Sequence, residues 1–211
     1  MLTNRSENFD AIATTSSRRA IMDRLESSLV DGPELPVVDP KQLTEFEDPL
    51  EHFASMLRMV GGQVHLIDGP EEAVAILEAI PVFAAAKRVA SLVPEIAQSN
   101  VDISMIDDPH SLATLDWTIA QGEFCVAENG AIWIDGNTLP HRVMLFIPQY
   151  LAIVVSRSQI VHHMHQAYAR VGKPPHTFGI FVSGPSKTAD IEQSLVLGAH
   201  GCRALQVFMT A

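Results

Sequence analysis

The chain has 211 residues, 47% hydrophobic and 18% charged, which supplies a core for one domain and excludes a disordered or fibrous chain. Its 14 Lys and Arg stand against 25 Asp and Glu, a formal net charge of -11. That charge repels phosphate backbones and anionic lipid, so nucleic-acid and membrane-surface roles are set aside, while a local cationic pocket for a small anion stays open. Cys125 and Cys202, the only cysteines, cannot build a disulfide framework, a four-thiolate zinc site or an iron–sulfur cluster. Met1 to Asp10 is polar, and no apolar run reaches a membrane-spanning length, so the expectation is a cytoplasmic α/β protein with no membrane span.

Residues 10–30 read as a helix, with Ile12, Ile21, Leu25 and Leu29 in partial apolar spacing and Arg18, Arg19, Asp23, Arg24 and Glu26 on the other side. Pro33, Pro36, Pro40 and Pro49, with acids between them, make residues 31–49 an extended connector. The expected division is an N-terminal helical arm and Pro-rich connector over 1–47 and an α/β domain over 48–211. Asp48-Pro49 starts a helix that stops at Gly61-Gly62, because an acid caps and proline fits the first helical position. A strand follows over Gln63–Ile67. A helix opens at Asp68-Gly69-Pro70, and short strands are expected over Arg88–Leu92 and Val101–Ile106, before a second helix start at Asp108-Pro109. The middle reads as strands: Phe124–Ala127, Ala131–Asp135, Arg142–Ile147 and Leu151–Val155. Ser158 is expected to cap a helix to about Val171. Thr177–Ser183 reads as a strand, Thr188–Leu197 as a helix and Ala204–Met209 as the last strand. Alternating strands and helices argue for an α/β fold with a mostly parallel sheet and some antiparallel strands in the middle.

Three groups of residues carry candidate chemistry. Around Ser183-Gly184-Pro185-Ser186-Lys187-Thr188, a strand is expected to turn into a helix. Open helix amides, the hydroxyls of Ser183, Ser186 and Thr188, and the Lys187 charge would then cradle an anion. The competing reading is a capped helix, with Asp190 and Glu192 favouring its dipole. Glu128-Asn129-Gly130 offers either a nucleophilic or basic carboxylate at a strand tip or simply a hairpin turn. His162, His163 and His165, with His176 further on, have helical metal-ligand spacing, but no acid in that helix completes a site, so no metal is expected. His200 lies in a glycine-flanked turn, where it caps carbonyls or faces the site. Cys125 reads as a buried inert thiol, whereas Arg203 beside Cys202 would lower that thiol's pKa.

The segment 183–205, SGPSKTADIEQSLVLGAHGCRAL, closely resembles the C-terminal signature of the lactate-utilisation (LUD-domain, LutC-like) family, and VAENGAIWID over 126–135 resembles its second hallmark. Asn129 and Cys202 depart from the family's usual threonine and proline. The resemblance implies a three-layer α/β/α fold of the NagB/RpiA/CoA transferase-like class. It implies an accessory role in oxidising L-lactate to pyruvate beside iron–sulfur partner subunits, with the clusters in those partners and no cofactor in this chain. On that reading a small anionic ligand sits at the 183–192 loop with Glu128 to Gly130 on the facing wall, and homo-oligomerisation is left open. Glu128-Asn129-Gly130 also resembles the Ser-Glu-Asn-Gly motif of CoA transferases, with Ala127 in place of the serine, which makes acyl or phosphate-ester chemistry at Glu128 the alternative. A third alternative is a pure assembly subunit docking through the 10–30 helix.

Overall fold

The fold is a computed structural model that describes residues 6–30, 32, 34, 36–172, 178–189, 195–198 and 200–211. Its contacts divide the chain into residues 1–42 and 43–211. The first unit holds α1 (Ser6–Ser27) and a 3-10 turn at Pro40–Gln42. Ile21, Leu25 and Leu29 are exposed along α1 and just beyond its end.

In the second unit, α2 (Pro49–Met59) begins as its sequence requires: the Asp48 carboxylate accepts from the Glu51 amide at 2.9 Å and proline opens the helix. Its inner face buries Phe53, Ala54 and Leu57. Next come β1 (Gln63–Leu66), α3 (Pro70–Ala79), α4 (Pro81–Ala84), β2 (Val89–Ser91), β3 (Trp117–Gln121), β4 (Phe124–Val126) and β5 (Ala131–Asp135). The chain continues through β6 (Tyr150–Ser156), β7 (Ile160–Val161), α5 (Met164–Val171), β8 (Gly179–Val182), β9 (Lys187–Ala189), β10 (Leu195–Leu197) and β11 (Ala204–Thr210).

Five strands form a parallel sheet in the order β1-β11-β6-β3-β2. Four form a mixed sheet in the order β7-β4-β5-β8, in which β5 runs antiparallel to both neighbours. This is the three-layer α/β class with a mostly parallel sheet and some antiparallel strands. Strand β6 shows why the parallel sheet is buried on both faces. Leu151, Ile153 and Val155 point towards α2 and the mixed sheet, where they meet Phe53, Leu57, Ile132 and Ile134. Ala152 and Val154 point the other way, towards Ala73 and Leu77 of α3. The far face of the mixed sheet, through Phe124, Val126 and Trp133, packs on Ala167 of α5.

Five expected elements differ. Val101–Ile106 and Arg142–Ile147 contain 3-10 turns at Ile103–Met105 and Arg142–Leu145 instead of strands, and Pro109–Thr114 is 3-10 rather than α. They are short and bury Ile103, Leu112, Met144 and Leu145, so their apolar content reflects packing and not pleating. The helix expected from Ser158 starts at Met164, because Ile160–Val161 first pairs with β4. Most consequential for the site, the described residues of the expected helix over Thr188–Leu197 belong to the antiparallel pair β9 and β10, with Thr188 opposite Val196, and residues 190–194 lie outside the described residues.

Candidate functional site

Strand β4 runs out at Val126, and its continuation stays alongside β7. The Ala127 amide donates to the Val161 carbonyl and the Glu128 amide to the His162 carbonyl, both at 2.9 Å. The chain then reverses: the Gly130 amide donates to the Val126 carbonyl at 3.1 Å, and the Asn129 side-chain oxygen accepts from the Ala131 amide at 3.1 Å. Gly130 has φ +67, a left-handed conformation, and a Cβ built on it would lie 2.7 Å from the Leu57 amide nitrogen. Glycine therefore serves two needs here: it turns the chain, and it lets the turn press on the backbone of α2.

Glu128 is exposed at the tip of this turn. Its carboxylate accepts from the Met164 amide at 2.8 Å, in the first turn of α5. The same helix start is capped by His163, whose Nδ1 accepts from the Gln166 amide at 3.3 Å. An anion is favoured there because the first helical amides point outward and carry the positive end of the helix dipole. Glu128 thus ties the turn to α5.

Ser183, just past β8, donates from its hydroxyl to the Asn129 carbonyl at 2.8 Å. This bond joins the two segments singled out in the sequence. Gly184, with φ +75, follows it, and a Cβ there would lie 2.8 Å from the Val60 carbonyl oxygen at the end of α2. Gly130 and Gly184 therefore lean on the same helix, one turn apart. Pro185 and the Lys187 stem pass over Gly61, at 3.5 and 3.8 Å from the position of a built Cβ. Lys187 is exposed and Thr188 half-buried.

The structure corrects one physical basis of the anion cradle. No helix starts at Ser186 or Thr188, so no open helix amides are offered there. The Ser186 amide donates to the Cys202 carbonyl at 2.8 Å, and the Ser186 carbonyl accepts from Gly198 at 3.0 Å. Backbone pairing has consumed the Ser186 amide, and the side chains of this segment carry the rest of the case for an anion. Of the expected site residues, Asn129, Gly130, Ser183 and Gly184 are brought together on α2, with Glu128 at the outer tip of the same turn. Ser186, Lys187 and Thr188 extend from this junction, Gly198 and Cys202 bond the Ser186 backbone, and His200 is exposed nearby in sequence. Asp190, Glu192 and His176 lie outside the described residues. Sequence reasoning missed Leu57, Val60 and Gly61. The Gly61-Gly62 pair was visible as a helix stop, but not as the surface that both motifs share.

The histidines are engaged locally. His162 Nδ1 accepts from the Phe46 amide at 3.0 Å, and Phe46 stacks on His52 with ring centroids 3.7 Å apart. Among the described residues no group of three His, Cys, Asp or Glu side chains is arranged to hold a metal ion. Burial pushes the Cys125 and Cys202 thiols up from their ordinary value, so the expected lowering at Cys202 by Arg203 is reversed: desolvation outweighs the backbone hydrogen bonds that act the other way.

A family model of the LUD domain matches residues 89–209, more than half of the chain. The chain belongs to the LUD-domain family. Both signature segments lie inside the matched LUD region. This LUD domain is similar to lactate utilization protein C of Shouchella clausii, with 33% identity over 92 residues, covering 41% of this chain and 40% of that protein. Lactate utilization protein C of Halalkalibacterium halodurans is 36% identical over 93 residues, covering 41% and 40%. The chain thus spans about two fifths of the length of these curated relatives. Among solved structures, a DUF162 family protein from Deinococcus radiodurans has a TM-score of 0.57, covering 77% of this chain and 96% of its own at 18% identity, a likeness of fold. Among the described residues no helix is long and apolar enough to cross a membrane.

Proposed function

We propose that this LUD domain acts in L-lactate utilisation as an accessory component, binding a small carboxylate where the Glu128–Gly130 turn meets the Ser183–Thr188 segment. The observation that carries the reading is the Ser183 hydroxyl bond to Asn129, which joins the two family-signature segments on the end of α2. The name of the relatives, lactate utilization protein C, supplies the process. Lys187 neutralises the carboxylate, and the Asn129 amide and the Thr188 and Ser186 hydroxyls donate to it. His200 borders the same loop, and Asp190 and Glu192 belong to it in sequence. Glu128 acts as a positioning residue through the Met164 amide. The oxidation itself, with its iron–sulfur clusters, belongs to partner subunits, since two buried cysteines supply no cluster here. The CoA-transferase-like alternative would use Glu128 Oε1 to attack a thioester while Oε2 stays on the Met164 amide.

The experiment is a deletion strain supplied with L-lactate as sole carbon source. Loss of growth, restored by the wild-type chain and not by Lys187→Ala, is expected. Normal growth and lactate-dependent respiration in the deletion strain would refute the role. Restoration by Lys187→Ala would refute the carboxylate site while leaving the role intact.

A further inference from the structure

A second depression lies on the opposite side of the parallel sheet. It is a cleft of about 540 Å³ between α3 and α4 on one wall and the 94–98 turn on the other, floored by Val89 of edge strand β2. Leu77, Phe83 and Ile96 line its apolar body. This volume falls in the range of small-molecule sites, which are concave and mostly apolar with a few polar groups that set the ligand's orientation.

The polar groups left over decide the ligand's charge. Asn100 is tied to the protein: its side-chain oxygen accepts from the Val89 amide at 2.8 Å, and its side-chain nitrogen donates to the Lys87 carbonyl at 3.0 Å. The Gln98 side-chain nitrogen donates to the Pro94 carbonyl at 2.9 Å. The amides of Ala84, Ala86, Ile96, Ala97 and Asn100 all donate to carbonyls of the protein. Against these internally bonded groups stand two carboxylates, Glu78 on α3 and Glu95 on the facing turn, neither of which has a hydrogen bond or ion pair among the described residues. The cleft therefore offers acceptors and negative charge above an apolar floor. An anion entering it meets repulsion from both carboxylates, whereas an ammonium group meets a carboxylate on either wall.

We propose that this cleft is a second ligand site, for a small organic ammonium ion with an apolar body. The apolar part lies on Leu77, Phe83 and Ile96, and the ammonium group lies at the mouth between Glu78 and Glu95. The inference is independent of the lactate reading, because the cleft shares no residue with the 128–130 and 183–188 segments.

The test uses 2-phenylethylammonium as probe, with 2-phenylethanol and phenylacetate as isosteric neutral and anionic comparisons, read by amide chemical shifts of the full chain. Saturable shifts confined to residues 74–100 are expected with the ammonium ion, weaker ones with the alcohol and none with phenylacetate. Each of Glu78→Gln and Glu95→Gln should weaken binding about two- to fivefold, as removal of an exposed charge partner does, with a further loss at high salt. Ala84→Trp, at an exposed lining position, should abolish binding by filling the cleft while leaving the fold intact. Equal shifts with phenylacetate, shifts mapping elsewhere, no shifts at all, or unchanged affinity in the Glu78→Gln/Glu95→Gln double variant would each overturn the proposal.

Discussion

Gly130→Ala is the substitution that most directly loads the junction. Two penalties combine. At φ +67 an alanine side chain crowds its own backbone, which costs about 1–2 kcal/mol. The new Cβ would also lie 2.7 Å from the Leu57 nitrogen and 2.9 Å from its Cα, both backbone atoms of a helix held in place by buried Phe53 and Leu57. Such overpacking costs about 1–3 kcal/mol. Together they amount to roughly 2–5 kcal/mol, and a domain of this size loses about 2–4 °C in Tm per kcal/mol, so a drop on the order of 10 °C is expected. Gly61→Ala separates the two effects, because Gly61 has φ +93 but its built Cβ meets nothing nearer than 3.5 Å. Only the conformational penalty applies there, and its Tm should fall by about half as much or less. The assay is thermal unfolding by circular dichroism at fixed concentration and pH. Equal losses for the two variants would refute the claim that the turn is seated against the backbone of α2.

Ser183→Ala removes the bond to the Asn129 carbonyl at an exposed position, where water replaces it, so the loss by urea unfolding should sit near the low end of about 0.5–1.5 kcal/mol, while any carboxylate affinity falls more steeply. Glu128→Gln removes the charge held at the start of α5 and should cost about 0.3–1 kcal/mol in the same assay. Exposure of the wild-type chain to acyl-CoA and borohydride, read by mass spectrometry, should leave Glu128 unmodified, and an adduct there would favour the acyl-transfer alternative. Cys202 is held protonated by burial, above its ordinary value of 9.0, so its stabilising contribution is complete below that value and is lost as the pH rises through it, when the unfolded chain releases a proton that the folded chain keeps. The urea midpoint should therefore fall between pH 8 and pH 10, and the Cys125→Ala/Cys202→Ala double variant should flatten that slope.

Much of the fold was legible because the relevant signals are local. Asp48-Pro49 announces a helix start through a cap and a fixed φ, and the cap bond is there. Apolar runs bounded by glycine and proline located β1, β4, β5, β6, β8 and β11 to within a few residues. What failed depends on partners distant in sequence. Residues 187–197 carry a mixed polar and apolar composition that suits a helix, yet the ladder closed by Gly198 on Ser186 settles 187–189 and 195–197 as a strand pair, and nothing at those positions foretells it. Ile160–Val161 adds to β4 for the same reason, displacing the start of α5 to Met164. The candidate site shows the same division. Its residues were visible as two motifs, but their meeting depends on the Ser183–Asn129 bond and on contacts with α2, which no spacing rule encodes.

The seating of those two turns on α2 bears on how the domain can be divided. The LUD match begins at residue 89, but the surface against which its signature turns rest is supplied by residues 57–61, and β1 covers one side of β11. An excised 89–209 fragment would leave the edge of its last strand open to self-association and its turns without a seat. The smallest piece that can stand alone therefore begins upstream of the recognisable homology, with the segment from Leu43 onward as an integral buttress.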